Sequence, residues 1–382
     1  MTDMFIEREI QLILKKDLDK KIILLGGPRQ CGKTTLAKHL MKNAEYLNYD
    51  NDEDRIKIKK KQWDRSAELV IFDEIHKMPL WKRWLKGLYD TEGVIQKKII
   101  TGSSKMDIIK QMGDSLAGRH FTYTLLPFSP DELKQKFSAE TIYKRMLKMG
   151  SFPEPFLEND EAFYKKWRNN HLDIILKQDL LGQEQVRDIE PIRLLIQILE
   201  ERVGSTVSYL NLARDLEKDA KTIKRWLLLL ERLYVIFRVP SYSKKITRSV
   251  LKEGKYYFYD IGRIRGDEAQ KLENIIALKL KTEIAKLEST QGCRGSLYFL
   301  RSRNGPEMDF YAEVEDYPSL MCEVKLSDNI VSKHFRFFSN FLPKARKVQL
   351  VRNLDKKFQN ADGVEVRSAV DWLVEDVWEK NT

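Results

Sequence analysis

The feature that most constrains this chain is a short glycine-rich segment that follows an apolar run. The run KIILL is followed by Gly26 and Gly27, and after four further residues Gly32-Lys33-Thr34 opens a helical pattern. This spacing between a strand and a helix is the signature of a phosphate-binding loop, whose glycines let backbone N–H groups turn inward around phosphates. The segment therefore predicts an α/β domain built around a nucleotide site.

The loop predicts an ATP site that also uses Mg²⁺. Lys33 would reach the β and γ phosphates, and Thr34 would bind the Mg²⁺ ion. We expect the nucleotide to be held by the whole loop. Its residues are Gly27, Pro28, Arg29, Gln30, Cys31, Gly32, Lys33, Thr34 and Thr35.

A second apolar run, ELVIFDEIH, ends in two adjacent acids, Asp73 and Glu74. Ligands of parallel α/β sheets bind at the carboxyl ends of the strands, so these acids are expected near the nucleotide. Asp73 would hold Mg²⁺ through water, and Glu74 would orient or deprotonate the attacking water. The pair predicts that ATP is hydrolysed as well as bound.

Two further segments offer candidates for sensing the γ-phosphate. The strand KKIITGSS ends in Thr101, Ser103 and Ser104, which either contact the phosphate or cap a helix. Arg119, in LAGRHF, is a candidate catalytic arginine finger or phosphate sensor; the alternative is an ordinary solvated arginine. A finger that acts on a neighbouring subunit would require a homo-oligomer.

Composition limits the class of protein and of partner. Of the 382 residues, 68 are Lys or Arg and 57 are Asp or Glu, and the net charge of +11 favours a polyanionic partner, in the first place DNA. A lysine-rich solvated surface is the alternative. The three cysteines suggest no disulfide framework, and no His/Cys cluster has zinc-ligand spacing.

The termini and the apolar runs bear on location. The N-terminal segment carries acids where a secretory signal needs basic residues, and the longest apolar runs are interrupted by charge. We therefore expect a cytoplasmic protein without a membrane association.

The middle of the chain predicts helices and a winged helix-turn-helix. After the Pro-rich boundary segment GSFPEPFLEND come helical patterns over about 161–199 and then a short amphipathic helix that starts near Tyr209. Asp219 is expected to cap a second helix, and the strand YVIFRV with the basic pair Lys244-Lys245 would form a wing.

The start of the second helix carries three basic residues, Lys221, Lys224 and Arg225, which suit contact with DNA. The alternative for this segment is a packing or dimerisation module.

The last third of the chain places charges on apolar elements. On a helix that begins near Asp267, Glu273 shares a stripe with Ala277, Leu280 and Ile284. In the strand around MDFYAEV, Asp309 lies on the polar face, and a turn at EDYPS would fold this strand back onto SLMCEVKL.

The strand SLMCEVKL carries Glu323 and Lys325 on one face. A charge in an apolar layer is costly unless it is paired or binds a metal. The two residues are therefore either an ordinary ion pair or part of a metal site.

The chain resembles prokaryotic AAA-type P-loop ATPases that carry a winged helix and a C-terminal restriction-endonuclease-like domain of unknown function. The resemblance is carried by GPRQCGKTTL, IFDEIHK, TGSS and LAGR…LLPFSPDEL, together with the order helix, three strands, helix, strand in the tail. It implies an α/β multidomain fold with three parts: a P-loop ATPase domain over 1–150, a helical linker and winged helix over 151–262, and a restriction-endonuclease-like domain over 263–382.

The resemblance also implies roles in the tail. Glu273 would be a supporting acid, Asp309 and Glu323 metal ligands, and Lys325 the catalytic lysine of a Mg²⁺-dependent nuclease. We expect these four residues to share one cation-binding pocket. The alternative is a catalytically inert ion-pair cluster in a nucleotide-gated switch or interaction protein.

Overall fold

The structure of the chain is a computed structural model that describes residues 4–102, 116–180, 188–243, 253–302, 305–327 and 330–378. It divides into two compact units, Met1–Pro127 and Phe128–Thr382. The three-part division expected from the sequence stays a prediction.

A parallel five-stranded sheet forms the centre of the first unit, in the order β2-β3-β4-β1-β5. The runs IILLG and LVIFD are buried along their whole length, as expected for strands covered on both faces. The strands are β1 Ile22–Gly26, β2 Ala44–Asn48, β3 Leu69–Asp73, β4 Lys97–Thr101 and β5 His120–Thr124. The helices are α1 Gln11–Leu18, α2 Lys33–Lys38, α3 Asp52–Lys60 and α4 Trp81–Glu92.

Sheet order explains why residues far apart in sequence meet in this unit. β4 lies between β1 and β3, and all three run in the same direction. Their carboxyl ends therefore meet at one edge of the sheet, which brings the glycine-rich loop after β1 next to the acids at the end of β3.

The second unit begins with helices. Asp219 caps the second helix of the helix-turn-helix segment as predicted, since its side chain accepts from the Thr222 N–H. Such a cap is worth about 1 kcal/mol. The helices are α5 Pro130–Leu133, α6 Ala139–Met149, α7 Pro153–Glu158, α8 Glu161–Ile174, α9 Glu190–Glu201, α10 Tyr209–Asp215 and α11 Ala220–Arg232.

A two-stranded antiparallel sheet follows α11. Its strands are β6 Ile236–Pro240 and β7 Gly254–Phe258. The basic pair Lys244-Lys245, expected in the wing, lies outside the described residues.

The second half of this unit is a long helix and a six-stranded sheet in the order β12-β13-β11-β10-β9-β8. The helix, α12 Glu268–Gln291, starts at a capping box in which Asp267 and Gln270 satisfy each other's backbone N–H groups. The strands are β8 Gly295–Arg301, β9 Glu307–Val314, β10 Leu320–Lys325, β11 Arg346–Val351, β12 Phe358–Gln359 and β13 Val364–Ser368, and the other helices are α13 His334–Ser339 and α14 Ala369–Trp372.

The predicted order of helix, three strands, helix and strand is observed in α12, β8 to β10, α13 and β11. β8, β9 and β10 are antiparallel, and β11 runs parallel to β10. In the hairpin Leu320 pairs with Ala312 and Cys322 with Phe310, so continuing this register sets Glu323 opposite Asp309. The elements β12, β13 and α14 were not predicted from the sequence.

Candidate functional site

The glycine-rich loop adopts a backbone that only glycine accommodates at its first position. Gly27 has φ 143°, and a Cβ there would lie 2.1 Å from the Leu125 carbonyl oxygen. Gly32 has φ 94°, in the left-handed region, directly before α2. The two signature glycines are therefore required by the loop's own geometry.

Lys33 is buried and its ammonium points into the loop. It donates to the carbonyl oxygens of Gly27, at 3.1 Å, and of Pro28, and its Nζ lies 3.8 Å from Cys31 Sγ. The carbonyl oxygens carry no formal charge, so the ammonium can exchange these contacts for an anion that enters the loop.

Thr34 and Asp73 are in direct contact. Thr34 Oγ1 donates to Asp73 Oδ2 at 2.9 Å, and Thr101 Oγ1 donates to Asp73 Oδ1 at 2.6 Å. The predicted Mg²⁺ residues are thus together, and oxygen atoms of this kind are the ligands that Mg²⁺ prefers. Thr101 faces this acid, while Ser103 and Ser104 lie outside the described residues.

Tyr46 is a site residue that sequence reasoning missed. Its hydroxyl donates to Asp73 Oδ2 at 2.8 Å, so Asp73 accepts hydrogen bonds from three side chains. Burial, and then the Asp73 carboxylate, raise the pKa of Tyr46, which keeps the hydroxyl a donor. Tyr46 lies in β2, next to β3 in the sheet, and no motif marks that strand.

Glu74 follows β3 with a left-handed backbone, φ 55°. Its Oε2 atom lies 3.3 Å from Lys77 Nζ and 3.6 Å from His76 Nε2. The carboxylate therefore lies at the carboxyl ends of the strands, where the sequence predicts it, and there it contacts Lys77 and His76.

Arg119 lies at the amino ends of the strands, opposite the glycine-rich loop. It precedes β5, its carbonyl accepts from the Ile22 N–H at the start of β1, and its guanidinium pairs with Asp90 at 2.6 Å. β1 runs five residues from there to the loop, roughly 16 Å. This position does not suit contact with a nucleotide in the same chain's loop; contact across a subunit boundary stays a prediction.

In the second unit, Glu323 and Lys325 form an ion pair, which was one of the two interpretations of this strand; the other was a metal site. Lys325 Nζ lies 3.1 Å from Glu323 Oε1. Asp309 Oδ2 accepts from the Val324 N–H at 2.8 Å, so Asp309 lies beside the same strand. Glu323 is 3% exposed, and within the described parts of the chain its Oε2 atom has no hydrogen-bond partner.

Lys255, which sequence reasoning missed, lies among the acids of the tail. It is 2% exposed, and its Nζ lies 2.8 Å from Glu307 Oε1, 3.4 Å from Glu273 Oε1 and 3.9 Å from Asp309 Oδ1. Tyr257, two residues along β7, donates to Glu273 Oε1 at 2.7 Å. The available signal was a lysine next to the apolar run YYFY, the same kind of signal that marked Lys325.

The charges in this cluster influence one another strongly. Burial, and then the Asp309 carboxylate, raise the pKa of both Glu273 and Glu323, and burial raises the pKa of Asp309. Burial opposes the charge on Lys255, yet the surrounding carboxylates of Glu273, Asp309 and Glu307 raise its pKa. The carboxylates therefore favour the charged form of Lys255.

The expected convergence of three acids on one ion is not observed. Within the described ranges, the one group of three acidic side chains that a single ion could reach is Asp131, Glu283 and Asp376, not Glu273, Asp309 and Glu323. A lysine lies between two of these acids, since Lys255 Nζ is 3.4 Å from Glu273 Oε1 and 3.9 Å from Asp309 Oδ1.

The group of Asp131, Glu283 and Asp376 also contains a lysine. The buried Lys279 ammonium donates to Asp131 Oδ2 and lies 3.5 Å from Glu283 Oε1. This cation already compensates the two buried acids, so the group is explained as a structural ion-pair network.

Comparison with known proteins identifies two segments. Residues 19–134 match a family model described as AAA domain, and residues 140–265 match a family model described as Domain of unknown function (DUF8612). Together with the parallel sheet and the glycine-rich loop, the first match shows that this chain carries an AAA-type P-loop domain.

Curated relatives extend beyond these segments. The uncharacterized protein MJ1544 of Methanocaldococcus jannaschii is 26% identical over 314 residues, 72% of this chain and 69% of that protein. The uncharacterized protein Rv2008c of Mycobacterium tuberculosis is 27% identical over 308 residues, 78% of this chain and 68% of that protein.

Solved structures show only a loose similarity. The Holliday junction branch migration motor RuvB of Thermotoga maritima is 18% identical with a TM-score of 0.33, covering 63% of this chain and 92% of that chain. A signal-transduction ATPase with a tetratricopeptide repeat sensor from Pyrococcus horikoshii is 15% identical with a TM-score of 0.25, covering 76% and 48%.

None of the helices within the described residues combines the length and the apolar character that a membrane span needs.

Proposed function

We propose that the first unit binds ATP with Mg²⁺ and hydrolyses it. The observation that carries the proposal is the 2.9 Å hydrogen bond between Thr34 Oγ1 and Asp73 Oδ2. It joins the two side chains that would hold Mg²⁺, the first directly and the second through water. Three hydroxyl groups orient the Asp73 carboxylate, so the residues present fit the ion.

Each residue of the site has a role that its position supports. Lys33 would exchange the carbonyl oxygens of Gly27 and Pro28 for phosphate oxygens, and these charge-assisted contacts are stronger than those it leaves. Bound Mg²⁺ would supply compensation of phosphate charge. Glu74 would orient or deprotonate the attacking water once its carboxylate leaves Lys77.

The test is phosphate release by the purified full chain with Mg²⁺ and ATP, with and without DNA. Lys33→Ala is expected to lower turnover by at least about 100-fold, because the charge nearest to the transferred phosphate is lost. Lys42→Ala, an exposed lysine downstream of α2, is the matched control. Absent turnover by the parent, or equal rates in parent and Lys33→Ala, contradicts the proposal.

We further propose that the second unit binds nucleic acid, in the first place DNA, through a winged helix-turn-helix formed by α10, α11 and the β6–β7 sheet. Lys221, Lys224 and Arg225 are exposed near the start of α11, while Ile223, Trp226 and Leu227 are buried. This arrangement presents three cations from the helix that enters the groove in such modules.

Salt dependence tests this part. Binding to a labelled DNA duplex should weaken steeply with salt, and alanine at Lys221, Lys224 and Arg225 together should reduce the log–log slope by about 2.7, or 0.9 per phosphate contact. Alanine at the exposed Lys57, Lys59 and Lys60 of α3 removes the same charge elsewhere and should leave the slope unchanged. No affinity at low salt would favour the interaction-protein alternative.

A second candidate activity is cleavage of nucleic acid by a PD-(D/E)xK-type, restriction-endonuclease-like tail. The observation that favours it is the position of Asp309 beside Val324 N–H and the Glu323–Lys325 pair. In the described arrangement the cluster does not fit a metal ion, because Lys255 lies among its carboxylates. The rival is an inert tail in a nucleotide-gated switch.

Incubation with linear, circular and branched DNA, and with RNA, in Mg²⁺ or Mn²⁺ separates these alternatives. Cleavage lost in both Asp309→Ala and Lys325→Ala supports the nuclease. Cleavage unaffected by these substitutions, or absent with ATP present, supports the inert tail.

A further inference from the structure

We propose that the Lys255 ammonium is the resident cation of an acidic pocket formed by Glu273, Glu307 and Asp309, and that it excludes divalent metal ions from this pocket. We refer to these four residues as the Lys255 pocket. The inference rests on the carboxylate cluster of the second candidate activity, but it concerns metal binding and does not require cleavage.

The distances define a site built for a cation. Lys255 Nζ lies 2.8 Å from Glu307, 3.4 Å from Glu273 and 3.9 Å from Asp309. A buried ammonium is stable only when carboxylates and further hydrogen bonds compensate its lost hydration. Glu273 comes from α12 and both other acids come from β9, so the pocket exists only in the folded second unit.

The same distances explain why a metal ion is excluded. Mg²⁺ binds oxygen ligands at about 2.1 Å and requires a nearly octahedral set of them. An ammonium nitrogen within 4 Å of all three carboxylates takes the volume that such an ion would need. The positive charge of Lys255 would also repel a second cation strongly at this separation.

A second observation points to a ligand at the same place. Glu323 is buried, and in the described part of the chain its Oε2 atom accepts no hydrogen bond. A buried carboxylate oxygen without a partner has lost its hydration and gained no hydrogen bond in return, which is unfavourable. The hairpin register sets Glu323 opposite Asp309, so this oxygen is a ready metal ligand beside the pocket once the ammonium is removed.

The cation and the acids come from different parts of the second unit. Lys255 belongs to β7, which pairs with β6 directly after α11, whereas the acids belong to the long helix and the large sheet. Tyr257 anchors the same strand to Glu273. The cation of the pocket is therefore supplied by one sheet and its acids by the long helix and another sheet.

The experiment measures Mn²⁺ binding to the full chain without nucleotide, by electron paramagnetic resonance of the free ion. The parent is expected to show no Mn²⁺ bound at Asp309, and Lys255→Met should gain one ion per chain with an affinity at least about tenfold higher than any in the parent, or about 1.4 kcal/mol. The gain should disappear in Lys255→Met with Asp309→Asn.

Two control variants isolate the cause. Lys255→Arg retains the cation and should bind as little Mn²⁺ as the parent. Lys218→Met removes an exposed lysine elsewhere in the second unit and should also behave as the parent. If Lys255→Met fails to unfold cooperatively, Lys255→Gln and the double variant Lys255→Met with Glu273→Gln replace it. The first retains an N–H donor for the carboxylates, and the second removes one of their negative charges.

Two results would overturn the inference. The first is a Mn²⁺ ion in the parent that Asp309→Asn removes, since this would mean that Lys255 does not exclude the metal. The second is a folded Lys255 variant that gains no Mn²⁺. Gained Mn²⁺ without cleavage of any nucleic acid leaves the inference standing and removes only the nuclease candidate.

Discussion

Each unit of this protein holds a buried lysine among oxygen atoms, and the two lysines are held in opposite ways. In the first unit, Lys33 donates to neutral carbonyl oxygens of Gly27 and Pro28. In the second, Lys255 lies among the carboxylates of Glu273, Glu307 and Asp309. A lysine with neutral partners remains available to an incoming phosphate, whereas one with ionised partners is already compensated and acts as a structural cation.

The largest expected effect is the loss of ATP turnover when Lys33 is replaced. Lys33→Met should reduce ATP turnover by at least about 100-fold, while Lys255→Met should change it by less than about threefold, because the second lysine takes no part in the proposed ATP site. Steady-state phosphate release measures both. Comparable losses of turnover in the two variants would contradict the proposed difference between the two lysines.

The free energy of unfolding should respond in the opposite order, with a larger loss for the substitution of Lys255 than for that of Lys33. Lys255→Met is expected to lower the free energy of unfolding by about 3 kcal/mol, because removal of one partner leaves buried carboxylates without their cation. Lys33→Met should lower it by no more than about 1 kcal/mol, the typical net contribution of a hydrogen bond, since its partners are neutral carbonyl oxygens. Denaturant titration with a fluorescence readout checks both values, and a large loss for Lys33→Met would contradict the distinction.

A smaller effect is expected on Mg²⁺ affinity when a hydrogen bond to the Asp73 carboxylate is removed. Tyr46→Phe removes one of its three hydroxyl donors and should raise the Mg²⁺ concentration for half-maximal ATP turnover about tenfold, a typical cost for a residue that orients a metal ligand. Turnover at saturating Mg²⁺ should recover, which a general structural defect would not allow. Tyr89→Phe, in α4, serves as the control.

The smallest expected effect is a pH dependence of the second unit. The pKa of Glu323 is raised by burial and by Asp309, so the folded state retains a proton that the unfolded state loses. Stability should therefore decrease as the pH rises above about 4.5, the ordinary pKa of glutamate, towards the raised pKa. Glu323→Gln should flatten this slope in unfolding experiments at a series of pH values, and an unchanged slope would rule out Glu323 as its source.

The oligomeric state decides whether Arg119 can act on the ATP site of a neighbouring chain. Arg119 lies at the sheet edge away from its own loop, so a catalytic role requires a second chain. Light scattering with ATP should then show an oligomer, and Arg119→Ala should lower turnover without reducing assembly. A monomer under turnover conditions would leave Arg119 only its ion pair with Asp90.

Sequence reasoning was most successful where the relevant pattern is local. The Asp219 cap, the strand that ends in Asp73 and the hairpin between β9 and β10 were predicted, since each depends on residues close together in the chain. The Glu323–Lys325 ion pair was one of two alternatives, and the sequence did not decide between it and a metal site. Tyr46 was missed because strand order in the sheet, which no motif records, brings it to Asp73. The position of Arg119 follows from its place before β5, which runs parallel to β1 and so begins at the end of the sheet away from the loop.

The sequence by itself determined the phosphate loop, because a contiguous segment with two glycines at fixed spacing dictates its own backbone. Only the tertiary structure decided what fills the acidic pocket, because Lys255 and Asp309 are far apart in sequence and meet through the packing of the β6–β7 sheet, α12 and the large sheet. The physical reason is that compensation of a buried charge depends on distance in space, and a motif specifies only distance along the chain.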